Sequence, residues 1–167
     1  LFGGELVHLT FDGTLDDAIY GRPGTASMTP QYGQGQHGSA LWFDGVDDNV
    51  TYPVAGLPMG AEARTLALWA KAEVLDDFGG FTATWGTFDT GKGFGLLQEG
   101  NPGWTGYGHE FDTEGNATAT GGWEHLAVTY DGTTIRLYQD GVAKASRVTA
   151  LQTAGESFVI GVALNSQ

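Results

Sequence analysis

Apolar and polar side chains alternate at period two through most of this chain, and that alternation limits what it can fold into more than any other feature. Leu126, Val128 and Tyr130 alternate with His125, Ala127 and Thr129, and Ile135, Leu137 and Gln139 with Arg136, Tyr138 and Asp140. Leu66, Leu68 and Ala70 alternate with Ala67, Trp69 and Lys71, and Leu6, His8 and Thr10 with Val7, Leu9 and Phe11. Period two gives an extended strand one face toward a core and one toward water. Asp131-Gly132 and Asp140-Gly141 separate the later runs, and Asp-Gly favours the positive φ of a tight hairpin. Residues 123–130, 133–139 and 142–148 are therefore predicted to form an antiparallel meander. About ten short strands joined by Gly-rich turns, without helices, predict an all-β, two-sheet antiparallel sandwich of the jelly-roll kind. No linker, charge run or low-complexity tract interrupts the sequence, so residues 1–167 are taken as one domain.

Composition narrows the function. Seven basic against twenty acidic residues give a formal net charge of −13. Nucleic-acid and anionic-membrane binders need a basic surface, so neither is expected. The chain has no cysteine, which removes disulfides, zinc-thiolate sites and a thiol nucleophile. Its apolar runs are too short to span a bilayer. It begins at Leu1 without an initiator Met, which suggests a removed leader or a piece of a longer polypeptide. His8, His37, His109 and His125 show no zinc spacing, and no nucleophile elbow or phosphate loop is present. Two sequons, at Asn49 and Asn116, are at the level expected by chance.

Four segments in order resemble laminin-G-like domains of the concanavalin A-like lectin/glucanase superfamily. They are LVHLTFDG at 6–13, GSALWFDG at 38–45 with DNVTYP at 48–53, RTLALWAK at 64–71, and GWEHLAVTYDG at 122–132 followed by TIRLYQDG at 134–141. The resemblance covers most of the chain and implies a concanavalin A-like sandwich in which 64–71 is the strand that ends in a buried Trp; the strand pattern itself puts Trp42, Trp69 and Trp123 in the core. It also exposes a departure. Family members usually close with a further C-terminal strand beside the opening one, so this strand is expected to come from further sequence or from a partner chain completing the sheet.

Candidate site residues come next. His109-Glu110-Phe111-Asp112-Thr113-Glu114 would place three acids on one face if it were a strand. It resembles the catalytic string of laminarinase- and lichenase-type hydrolases, which would make Glu110 the nucleophile, Asp112 its helper and Glu114 the acid/base. Against this, Thr113 stands where those enzymes carry an aliphatic, and Glu114-Gly115-Asn116 reads as a turn. Sugars stack flat C–H faces on aromatic rings and hydrogen-bond to carboxylates. Trp104, after the Asn101-Pro102-Gly103 turn, is therefore expected to be exposed, and with Tyr107, Glu110 and Asp112 to form a glycan platform. Asp is a hard oxygen ligand for calcium. Asp12, Asp16, Asp17 and Asp47 are the candidate ligands, with Asp44-Asp48 and Asp76-Asp77 as further acidic loops.

The expected function is a noncatalytic, lectin-like glycan-binding module, extracellular or surface-displayed and assisted by calcium. The alternatives are a structural or interaction module of an adhesin, surface or virion decoration protein, and a small glycoside hydrolase using Glu110 and Glu114.

Overall fold

A computed structural model describes residues 4–73, 80–98, 103–115 and 117–161. Its strands are β1 (Thr25–Ala26), β2 (Gln31–Gln34), β3 (Ser39–Trp42), β4 (Asn49–Pro53), β5 (Arg64–Ala70), β6 (Gly80–Gly86), β7 (Gly93–Gln98), β8 (Trp104–Tyr107), β9 (Glu124–Tyr130), β10 (Thr134–Gln139), β11 (Val142–Val148) and β12 (Ser157–Gly161). A six-stranded sheet runs β1-β4-β12-β6-β7-β8, a four-stranded sheet runs β11-β10-β9-β5, and β2 and β3 form a separate hairpin. All named pairings are antiparallel. The chain is an all-β sandwich, and its meander β9-β10-β11 forms as the alternation predicts. Asp140 (φ 51°) and Gly141 (φ 77°) supply the two left-handed residues of the β10–β11 turn.

The core fills the space between the two larger sheets. From the four-stranded side, Leu126, Val128, Ile135 and Leu137 are fully buried. From the other, Tyr52, Phe158, Trp85 and Phe94 form one cross-strand row, with ring centroids 6.0, 5.7 and 4.8 Å apart in turn. Tilted and edge-on ring pairs of this kind add stabilisation beyond area burial. Arg64 ties the sheets together: its guanidinium lies 4.6 Å from the Phe94 centroid on β7 and 5.0 Å from that of Tyr130 on β9. It donates to the carbonyls of Gly60 and Glu62 and to the Thr153 hydroxyl, and burial pulls its pKa down to about 10.

Three expectations are corrected. Trp42 and Trp69 are 51% and 41% exposed and Trp123 is half-buried, whereas Trp85 and Trp104 are core residues. In β5 the inward parity belongs to Arg64, Leu66, Leu68 and Ala70, which turns Trp69 outward. The opening segment is not a ladder strand. Residues 4–11 have no sheet partner among the described residues; His8 holds the segment, donating its N–H to Asp17 and accepting from the Ala18 N–H. Finally, 109–114 is a turn, with only an isolated bridge at Thr113. β5 is a terminal strand of its sheet, with one backbone edge unpaired among the described residues.

Candidate functional site

The β6–β7 loop, 87–92, and the turn after β8, 108–112, meet at one rim of the sandwich. Gly108 donates its N–H to Asp112 Oδ1 at 2.8 Å, closing the turn, and Gly91 N–H donates to the His109 carbonyl at 3.0 Å. His109 and Glu110 sit consecutively at φ 38° and 60°, a left-handed conformation that costs non-glycine residues energy. The strained turn points the Glu110 carboxylate outward, where the Thr90 hydroxyl donates to Oε2 at 3.0 Å. The ring centroid of His109 lies 5.2 Å from that of Phe88, and His109 Nδ1 is 3.3 Å from the Tyr107 hydroxyl. Lys92 donates to Asp89 at 3.0 Å and, with Thr87, keeps its carboxyl below the usual range. Burial pushes the Tyr107 phenol upward, reinforced by Asp112.

Tyr107, Glu110 and Asp112 lie at this turn, beside Phe88 and Thr90, which the sequence did not single out, and His109, which it named only at the head of the acidic string. Trp104 and Tyr107 depart from the expected platform, each being 2% exposed. The Trp104 indole N–H points into the core and donates to buried Glu124 at 2.8 Å. The rings at the rim are those of Phe88 and His109, both half-buried and packed edge-on against one another. Glu110 and Glu114 do not share a strand face, because 109–112 is a turn, so the geometric premise of the hydrolase reading is absent.

The Asp residues also regroup. Asp17 is 1% exposed, and donors from His8, Ile19, Tyr20 and Arg22 occupy both its oxygens. Burial alone would raise its pKa; these donors outweigh it and lower it. Asp12 accepts from the Ser39 N–H, and exposed Asp16 does not converge with either. Asp47 instead joins Asp44 and Asp48, whose ligand oxygens lie within 4.8 Å of one another. Three carboxylates at that spacing are a donor set suited to a hard divalent cation. Asp76, Asp77 and Asn116 lie outside the described residues.

The family model of the concanavalin A-like lectin/glucanase superfamily matches residues 44–167. The chain belongs to this superfamily. No curated protein matches it. Among solved structures, this superfamily member is similar to domain 4 of AbnA, a GH43 extracellular arabinanase from Geobacillus stearothermophilus, solved in complex with arabinotriose. The two are 26% identical with a TM-score of 0.73, over 93% of this chain and 82% of that one. The concanavalin A-like framework accounts for the two packed sheets. No helix among the described residues is long and apolar enough to cross a membrane.

Proposed function

We propose that the protein is a noncatalytic glycan-binding module, working outside the cell and contacting neutral oligosaccharide at the rim formed by Phe88, His109, Glu110 and Asp112. The observation that carries this reading is the likeness, across nearly the whole chain, to an arabinanase domain solved with arabinotriose. The rim offers what a sugar needs: aromatic rings for its C–H surface and carboxylate acceptors for its hydroxyls. Its shape is set before any ligand arrives by the Thr90–Glu110 and Gly108–Asp112 bonds, which limits the ordering cost of binding. Titration calorimetry with arabinotriose tests it. Glu110→Gln and Phe88→Ala should each weaken binding by roughly 1–3 kcal/mol. Unchanged affinity in both variants would remove the rim from the account, and oligosaccharides released from arabinan, laminarin or lichenan by the parent but not by Glu110→Gln would restore the hydrolase.

The acidic loop at 44–48 is proposed to hold calcium through Asp44, Asp47 and Asp48, pinning the connection between β3 and β4. The unpaired β5 edge supports a further partner, a strand from another chain that extends the four-stranded sheet by backbone hydrogen bonds.

A further inference from the structure

The outward face of the four-stranded sheet carries a second constellation. Register places Trp69 opposite His125, Ala67 opposite Ala127 and Thr65 opposite Thr129. One strand over, Tyr138 stands beside Ala127 and Arg136 beside Thr129. The result is a bed two alanines wide, walled at one end by Trp69 and bordered by threonine hydroxyls and a tyrosine. Trp69 is 41% exposed, yet it is fixed. His37 packs edge-on to it at 5.7 Å and 75°, and His125 at 5.3 Å and 66°. The His125 backbone is itself anchored, its amide N–H donating to Asp140 Oδ1 at 2.9 Å and its carbonyl accepting from the Asp140 N–H at 2.8 Å. The Trp69 indole N–H and the Thr65, Thr129 and Tyr138 hydroxyls make no hydrogen bond among the described residues. A large aromatic left partly in water but packed between two rings, beside unoccupied donors, is a contact point that a ligand can use at low ordering cost.

We infer that this face is a second glycan-contact surface, separate from the rim, that takes a short neutral oligosaccharide lying along β5 and β9. The inference rests on the proposed function for the class of ligand and goes beyond it in site and valency. The bed runs four residues from Thr65 to Trp69, about 13 Å at the rise of a strand, the scale of a short oligosaccharide. Neutral sugar fits the charges: the molecule carries −13, and Arg136 is already engaged by Asp131 at 2.6 Å. An Ala–Thr floor offers little for a protein partner, whose interface cores favour large aromatic and aliphatic anchors. The two surfaces lie toward opposite ends of the sandwich. Arg64 stacks on Phe94 beside Gly93, where the rim loop closes, and Trp69 is five residues further along β5, about 16 Å away. One polymer chain, or two, can therefore be held at both.

The test is a heteronuclear NMR titration with arabinotriose. The Trp69 indole resonance should shift, and should still shift in Glu110→Gln; the buried Trp104 indole reports an intact fold. Trp69→Ala should remove the sheet-face shifts while leaving those at His109 and Glu110. Ala67→Glu, which keeps Trp69 and fills the bed, should do the same. On immobilised arabinan, Trp69→Ala should weaken retention at least tenfold through lost bivalency. Shifts at the rim with none at Trp69 would overturn the second surface and leave the rim standing. Shifts at neither would overturn both. A dimer in sedimentation that Trp69→Ala abolishes would overturn the inference in favour of a second copy as occupant.

Discussion

Trp104 and Trp69 carry the same side chain into opposite environments, and their substitutions separate accordingly. Trp104 is 2% exposed and bonds Glu124, a carboxylate that is itself 2% exposed and also accepts from Gln139 Nε2 at 2.7 Å and from the Thr120 N–H at 3.2 Å. These three donors satisfy a carboxyl group shut away from water, so each one matters. Trp104→Phe keeps most of the packing and removes one donor, and should cost about 1–3 kcal/mol in urea unfolding. Trp69→Ala should cost less than about 1 kcal/mol, as surface substitutions do. Asp131 adds a pH dependence. The Arg136 guanidinium, then the Thr133 hydroxyl and the Thr133 and Thr134 N–H groups, hold its carboxyl well below the ordinary range. Because the folded pKa lies below the unfolded one, this stabilisation is complete above about pH 4 and is lost as pH falls through the folded value. Urea midpoints at pH 5 and pH 2.5 should therefore converge in Asp131→Asn relative to the parent.

At the scale of the strand, glycine governs how closely neighbours approach. A Cβ on Gly95 would run into the Ala83 carbonyl and Thr84 on β6, whereas one on Gly141 would meet nothing within 4 Å. Gly95→Ala should therefore cost more than about 2 kcal/mol by overpacking, and Gly141→Ala about 1–2 kcal/mol from its left-handed φ alone. Chemical denaturation ranks the two. The meander was legible because β9 and β10 state their parity in the sequence, apolar in and polar out. β5 alternates too, but alternation alone does not say which parity faces inward: the core takes Leu66 and Leu68, and Trp69, of opposite parity, faces outward. The rim was half legible. The acids at 110 and 112 mark it, but a strand and a turn built on alternating acids read alike until the backbone fixes φ at His109 and Glu110. Phe88 and Thr90 reach that turn through tertiary folding, from a loop about twenty positions upstream, and no local pattern announces them.

For the whole molecule, the acidic loop at 44–48 and the open sheet edge act on stability and association. If Asp44, Asp47 and Asp48 hold calcium only in the folded state, millimolar calcium should raise the melting temperature over chelator. The corresponding stabilisation is about 2.7 kcal/mol at a hundredfold excess over Kd; identical melting curves would exclude the ion. The edge of β5, unpaired among the described residues, has a consequence for handling the protein in solution. Open backbone donors and acceptors invite edge-to-edge pairing, and Leu66 and Leu68 beside them are only half-buried. Between two copies of this chain, the shared charge of −13 opposes such pairing, a repulsion that salt shortens from a reach of about 10 Å at 0.1 M to 3 Å at 1 M. The protein should therefore stay monodisperse in dilute buffer and self-associate in concentrated salt, so a routine high-salt purification step would favour the association that the acidic surface suppresses.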